Sequence, residues 1–234
     1  MGRSESIEHG FADETLLSEL IAADRPRGTV ILFPTVAGVS ELELGFAQTL
    51  AGKGFTAFVA DLYGKAFRGS GREVGAQQMR RLSADRARLR DRLLAVVDTV
   101  RGLPDTGAGI VAIGFCFGGL CALDLARSGA DIAGVASFHG LFDPPGLQPR
   151  PIAAKVIAFH GWDDPMVPPA KVVALGAELT QGACDWQMHA FGRTVHAFTN
   201  PGADKLGNPA VRFSPDANRR SWRALDGFLE DLFG

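Results

Sequence analysis

The stretch Ile110-Val-Ala-Ile-Gly-Phe-Cys-Phe-Gly-Gly119 decides the fold, because it is an apolar run that ends in a glycine-rich turn. Its β-branched first half and the Leu/Ala-rich residues after it predict a buried strand, a tight turn and a helix. Cys116 stands in the turn, in the pattern Gly-x-Cys-x-Gly-Gly. A nucleophile on such a turn has a strained backbone, and Gly114 and Gly118 remove the side chains that would clash with it. Cys116 is therefore a candidate nucleophile; the alternatives are a small buried apolar residue or a turn in a nucleotide site.

The same region, Thr106 to Leu123, carries no charge over 18 residues and is long enough to be tested as a membrane span. Five glycines interrupt it, and its composition changes from β-branched to Leu/Ala-rich halfway along. We therefore interpret it as a strand that leads into a helix.

Short β-rich runs alternate with longer helical patterns along the rest of the chain. This alternation predicts an α/β fold: a mostly parallel, doubly wound sheet of seven or eight strands flanked by helices, in one domain over residues 1–234. The predicted strands are Leu16–Ile21, Thr29–Phe33, Thr56–Ala60, Ile110–Ile113, Gly134–Phe138, Val156–Phe159 and Trp186–Ala190. Apolar spacing predicts helices over Glu41–Ala51, with Ser40 as N-cap, and over Ala76–Val100.

The predicted helix Ala76–Val100 also carries a run of arginines. An anion site is one interpretation, and we favour the other, a solvated face of an amphipathic helix. The residues concerned are Arg80, Arg81, Arg86, Arg88, Arg90 and Arg92.

Charge and cysteine content restrict the partners and the compartment. The chain of 234 residues has 24 Lys+Arg against 26 Asp+Glu, so it lacks the basic excess that binds nucleic acid or anionic membranes. Its three cysteines match neither a disulfide framework nor a zinc pattern, which favours free thiols and no bound metal. The first twelve residues lack the apolar segment of a signal peptide, so we expect a cytoplasmic protein without nucleic-acid or membrane partners.

A cysteine nucleophile needs a base, and the base needs an acid that orients it. Five histidines compete, and His196 alone falls in the loop between the last predicted strand and the C-terminal helix. The segment after the Val156–Phe159 strand offers Asp163 and Asp164, of which we choose Asp164. The resulting order of nucleophile, acid and histidine is the one that an α/β-hydrolase sheet requires.

An oxyanion hole needs two backbone N–H donors. Phe117, the first residue after the turn, supplies one. The other should come from the loop after the Thr29–Phe33 strand, where Pro34 has no N–H and Thr35 or Val36 remains. We choose Val36.

At this point the sequence resembles the dienelactone hydrolase family of α/β-hydrolases over almost its whole length. The resemblance rests on the turn around Cys116 and on four other segments, which are Ala60-Asp-Leu-Tyr-Gly64, His160-Gly-Trp-Asp-Asp-Pro-Met-Val-Pro168, Val195-His-Ala-Phe198 and Arg219-Arg-Ser-Trp222. It implies a Cys116–His196–Asp164 triad, hydrolysis of an enol-lactone or another activated ester of small-molecule size, and no cofactor.

Two positions depart from well-studied members of that family. Thr35 stands where they have a glutamate that holds the resting thiol, and Asn200 stands where they have an arginine that binds a substrate carboxylate. Without the glutamate, we expect the thiol to rest as a thiolate paired with protonated His196. Arg81 or Arg193 is a candidate replacement for the missing arginine.

Aromatic residues flank the proposed catalytic residues and suggest an apolar pocket, although aromatic neighbours are also normal core packing. The candidate substrate contacts are Thr35, Trp162, Phe198 and Arg81. Two further functions stay open: a non-catalytic binding protein on a hydrolase scaffold, and a redox sensor that pairs Cys116 with Cys121, whose helical spacing places them on different faces. The sequence makes no prediction of oligomeric state.

Overall fold

Eight strands form one sheet in the computed structural model, which describes residues 3–104 and 106–234. Their spatial order is β1-β2-β4-β3-β5-β6-β7-β8; β2 runs antiparallel to β1 and β4, and all other neighbours are parallel. The mostly parallel, doubly wound sheet is therefore confirmed. The strands are β1 (Ser4–Phe11), β2 (Glu14–Ile21), β3 (Gly28–Phe33), β4 (Phe55–Val59), β5 (Ile110–Phe115), β6 (Gly134–Phe138), β7 (Lys155–Gly161) and β8 (Trp186–Phe191).

Helices cover both faces of this sheet, and each face has its own apolar cluster. One cluster joins the sheet to α3, α4 and α5, and the other joins it to α1 and α6. Every residue of α4 is buried, so the helix that follows the Cys116 turn is fixed inside the protein. The helices are α1 (Glu41–Gly52), α2 (Gly71–Ala84), α3 (Arg86–Arg101), α4 (Phe117–Arg127), α5 (Pro169–Gln181) and α6 (Pro215–Phe233).

Two elements differ from the sequence-based prediction. The edge strand β1 was not predicted, because its side chains are exposed or only half-buried and give no apolar signal. The single helix predicted over Ala76–Val100 is instead α2 and α3, which meet at Asp85. Asp85 leaves the helical conformation, with φ −125° and ψ 83°, and its carboxylate accepts a hydrogen bond from the Arg88 N–H, so it ends one helix and caps the next.

The arginines of α2 and α3 are also different from the prediction. The interpretation as a solvated face is wrong for Arg92, which is fully buried, and for Arg86, whose side chain is only 13% exposed. Arg92 Nη2 lies 2.7 Å from a carboxylate oxygen of Glu14, and the guanidinium stacks on Phe11. Arg86 donates two hydrogen bonds to Asp124 at 2.6 and 2.7 Å. Carboxylates from distant elements thus allow these charges to be buried.

Across residues 3–104 and 106–234, no helix is both long and apolar enough to cross a membrane.

Candidate active site

The turn between β5 and α4 holds Cys116 in a strained conformation, with φ 56° and ψ −114°. Non-glycine residues rarely adopt a positive φ, and such residues cluster at functional sites. The neighbouring glycines make the turn possible. A Cβ on Gly114 would overlap the backbone of Gly118, and a Cβ on Gly118 would overlap the Phe33 carbonyl at the end of β3. The partly exposed Cys116 therefore stands at the carboxyl ends of the central strands.

The structure brings Asp164 and His196 together, although they belong to different loops. Asp164 follows β7 and His196 follows β8, and Asp164 Oδ2 lies 2.7 Å from His196 Nδ1. Both side chains are buried, with 0% and 3% exposed. Asp164 also accepts the Met166 N–H at 2.9 Å, which fixes the carboxylate. Asp163 is exposed, and its N–H bonds to the Thr194 carbonyl, so it ties the two loops together instead of meeting the histidine.

Cys116 and His196 lie close enough to change each other's pKa. Burial raises the pKa of the Cys116 thiol, whereas the charge of His196 and hydrogen bonds to the sulfur lower it. The lowering effects together exceed the effect of burial, so the pKa lies below its ordinary value. Burial lowers the pKa of His196, whereas Cys116 and Asp164 raise it to about 10. Nε2 of His196 is buried without a well-formed hydrogen bond. Hydrogen bonds between a catalytic base and a nucleophile are often long or poorly aligned without substrate. The lowered pKa of Cys116 and the raised pKa of His196 together favour a thiolate–imidazolium pair.

Two backbone N–H groups lie close enough to the Cys116 sulfur to affect the pKa of the thiol. They belong to Phe117 and Val36, and both lower the pKa of the thiol. These are the two donors expected for an oxyanion hole, and one comes from the start of α4 while the other comes from the loop after β3. The structure therefore gathers five of the predicted residues, Cys116, Phe117, Val36, His196 and Asp164, in one place.

The chain is similar to proteins of one known family. Residues 18–233 match the profile of the dienelactone hydrolase family. The chain belongs to this family. A solved structure named m3DLH is 32% identical, covers 99% of both chains and superposes with a TM-score of 0.88. A dienelactone hydrolase-like promiscuous phosphotriesterase, P91 from metagenomic libraries, is also 32% identical over 99% of both chains, with a TM-score of 0.87. An uncharacterized protein of Caenorhabditis elegans, K02A2.1, is 32% identical over 65% of this chain and 99% of its own length.

The loop that carries Val36 in this dienelactone hydrolase family member is held by a residue that sequence reasoning missed. Glu43 of α1 is fully buried; its carboxylate accepts the Thr35 N–H at 3.0 Å and the Ser40 hydroxyl. Tyr63 donates a hydrogen bond to the Val36 carbonyl at 3.4 Å. The pattern of a Ser40 N-cap followed three residues later by glutamate is that of a capping box, and it was the available signal for Glu43.

The structure places two of the predicted substrate contacts, Phe198 and Arg81, against other parts of the protein. Phe198 is fully buried against His139 and Phe191, and the Arg81 guanidinium pairs with Glu14 at 3.0 Å. We therefore do not retain Phe198 as a substrate contact, because it belongs to the core. Arg81 stays a prediction, because its side chain is 49% exposed and it shares the single carboxylate of Glu14 with Arg88 and Arg92.

The other predicted contacts lie in the loops around the triad. Trp162 is 42% exposed in the loop after β7, where its backbone N–H donates to the carbonyl of Phe191, the last residue of β8. Thr35 is half-buried, and its hydroxyl accepts the Ala37 N–H at 3.3 Å. Arg193 is exposed, at a positive φ of 55°. The Asn200 side chain accepts the Gly202 N–H at 2.8 Å and so closes a turn.

Proposed function

We propose that this member of a hydrolase family cleaves an enol-lactone or another activated carboxylic ester of a small molecule through a Cys116–His196–Asp164 triad. The observation that carries the proposal is the pair of buried side chains, His196 and Asp164, in contact at 2.7 Å beside a thiol whose pKa is lowered by His196 and by two backbone N–H groups. A nucleophile, a base, an orienting acid and an oxyanion hole are the parts that acyl transfer requires.

The proposed reaction has two steps. His196 holds the proton of the Cys116 thiol, and the thiolate attacks the carbonyl carbon while the N–H groups of Phe117 and Val36 stabilise the oxyanion. The C–O bond then breaks, His196 gives its proton to the leaving oxygen, and a thioester remains. In the second step His196 takes a proton from water and the hydroxide attacks the thioester carbonyl. The C–S bond then breaks, the carboxylic acid leaves, and the thiolate paired with protonated His196 is restored.

The sulfur nucleophile restricts the substrate. An enolate or a phenolate departs readily from the tetrahedral intermediate, whereas a poor alkoxide leaving group would let the thiolate be expelled in the reverse direction. We therefore propose activated esters and enol-lactones as substrates, and poor activity on amides and peptides.

A substrate screen tests the proposal. The panel contains lactones and esters with and without a free carboxylate, together with p-nitrophenyl acetate, and the enzymes are wild type, Cys116→Ala and Cys184→Ala. Cys184 is a matched control, since it is also partly exposed and its thiol contacts backbone carbonyls outside the site. We expect wild-type rates from Cys184→Ala and only background from Cys116→Ala. If wild type hydrolysed every ester no faster than Cys116→Ala, the result would favour a non-catalytic binding protein instead.

A second candidate is phosphotriester hydrolysis, favoured by the similarity to the promiscuous phosphotriesterase P91 over 99% of the chain. A thiolate attacks a neutral phosphotriester with a good leaving group in the same manner, and N–H donors stabilise the charge that develops on the phosphoryl oxygen. Diethyl p-nitrophenyl phosphate in the same screen tests this activity, and equal rates with wild type and Cys116→Ala would refute it.

We also propose a cellular location for the protein. The three free cysteines favour a reducing, cytoplasmic compartment.

A further inference from the structure

A second histidine, His139, lies beside the triad, and the proposed reaction does not use it. His139 follows β6, is 1% exposed and has a positive φ of 37°. A strained, buried residue of this kind persists only where its surroundings hold it in place, and such residues cluster at functional sites. Its position next to the nucleophile therefore calls for an explanation.

The two ring nitrogens of His139 bond to two different loops of the site. Nδ1 lies 3.2 Å from the backbone nitrogen of Cys116, which also donates to the Phe138 carbonyl at 3.0 Å. Nε2 lies 2.8 Å from the Thr199 hydroxyl, three residues after His196 in the same loop. One side chain thus connects the backbone of the nucleophile to the loop that carries the base.

These contacts determine where the proton of His139 resides. A backbone N–H can only donate, so Nδ1 must accept, and the proton of the neutral ring must be on Nε2, which donates to Thr199. Burial lowers the pKa of His139 well below its usual value, and the charge of the neighbouring His196 lowers it further. His139 is therefore neutral, and its Nδ1 remains a second acceptor for the Cys116 N–H beside the Phe138 carbonyl.

The ring of His139 also supports the base by direct packing. Its ring centroid lies 5.1 Å from that of His196 at an interplanar angle of 65°, and 5.1 Å from that of Phe198 at 83°. Both contacts are edge-to-face, an arrangement that aromatic rings favour. His196 is thus held by Asp164 at Nδ1 and by His139 against its ring.

We propose that His139 is a positioning residue for the triad: as the Nε2–H tautomer, it holds the Cys116 turn and the His196 loop in the arrangement in which the thiol meets the imidazole. The kinetic consequence rests on the proposed function. The tautomer and the reactivity of the thiol do not, because both are properties of the enzyme without substrate.

Three variants separate this role from simple packing. His139→Leu removes both hydrogen bonds, Thr199→Val removes only the acceptor for Nε2–H, and His139→Gln keeps a side-chain carbonyl that can accept the Cys116 N–H. A misplacement of about 1 Å in a catalytic group costs up to about 100-fold in rate. We therefore expect kcat to fall at least tenfold in His139→Leu and severalfold in Thr199→Val, with KM changed less than twofold. His139→Gln should retain more activity than His139→Leu.

Two measurements without substrate complete the test. The alkylation rate of Cys116 at neutral pH should fall in His139→Leu and Thr199→Val. It should stay at the wild-type value in the control His189→Leu, since the His189 ring packs on Phe159 and burial alone lowers its pKa. Spectra of ¹⁵N-histidine in the wild-type protein should show His139 protonated on Nε2. A proton on Nδ1 would overturn the proposal, and so would wild-type alkylation in both variants. These outcomes stand whether or not the protein hydrolyses esters, and the spectra stand even if His139→Leu fails to fold.

Discussion

The charge state of Cys116 is the property of the site that a single experiment can test most directly. Burial alone would raise the pKa of the thiol, and the largest opposing effect is the charge of His196, followed by hydrogen bonds to the sulfur. Replacing His196 by alanine removes that charge and leaves the burial. We therefore predict that the thiol pKa lies below its ordinary value in the wild type and above it in His196→Ala.

The size of the effect follows from the titration curve. A thiol with the ordinary pKa of about 8.5 is about 1% thiolate at pH 6.5. Each unit by which the pKa falls raises that fraction about tenfold, up to a limit of about 100-fold over an unperturbed thiol. The pKa of His196 is raised to about 10, so the imidazolium persists throughout the range in which the thiol titrates. The two groups titrate as a pair, and the measured midpoint belongs to both.

The assay is the rate of alkylation by iodoacetamide between pH 5 and pH 10, in a Cys184→Ala background that removes the other partly exposed thiol. The wild-type rate should reach its plateau at a lower pH than the His196→Ala rate, which should still rise above pH 8.5. A wild-type midpoint at or above the free-thiol value, or the same midpoint in both proteins, would refute the ion pair.

The same pair affects stability, with opposite signs for its two members. The thiol has a lowered pKa, so its contribution to the free energy of unfolding is present above the unfolded pKa of about 8.5 and is lost as the pH falls through the folded value. The imidazole has a raised pKa, so its contribution is present below about 6.5 and is lost as the pH rises through about 10. Urea unfolding of wild type and Cys116→Ala at several pH values measures the two contributions together, because the substitution also removes the effect of Cys116 on the pKa of His196.

Three substitutions and one control variant test other parts of the structure. Asp164→Asn should lower kcat about 10⁴-fold in a folded protein, as loss of the orienting acid does in other triads, and Asp163→Asn, at an exposed position, should stay near wild type; equal losses in steady-state assays would contradict the assignment. Gly114→Ala should prevent folding or abolish activity, because its Cβ overlaps the backbone of α4, and a folded, active variant would count against the tight turn. Glu14→Gln should destabilise the protein by about 3 kcal/mol in urea unfolding, since it leaves the buried charge of Arg92 without its ion-pair partner; a change below about 1 kcal/mol would show that Arg92 is satisfied elsewhere.

The sequence predicts the elements of this site that depend on local pattern. The Cys116 turn could be predicted because strand, glycines and helix follow one another within twenty residues. The positions of Asp164 and His196 could be predicted because parallel strands bring the loops after them to the same edge of the sheet. Chain order alone therefore places the nucleophile, the acid and the base together.

The buried polar contacts could not be predicted in the same way, because their partners are distant in sequence. Arg92 meets Glu14 78 residues away, and His139 meets Thr199 60 residues away. Arg92 occupies the apolar stripe of α3, three residues after Leu89 and four before Val96, so its register did indicate a buried position. The sequence did not indicate that Glu14, from a distant strand, would lie beside the buried guanidinium and form an ion pair with it.

The site thus has two levels of organisation. The proposed reacting groups all come from loops after parallel strands: Val36 after β3, Cys116 after β5, Asp164 after β7 and His196 after β8. Strand register brings these loops within reach of one another, but loops at a sheet edge have backbone freedom that register does not remove. Buried side chains from neighbouring elements remove it, because Glu43 binds the N–H next to Val36 and His139 binds the N–H of Cys116 itself. Changes at the two supporting side chains should therefore alter catalytic rate more than substrate affinity, since they move the groups that act on the transition state.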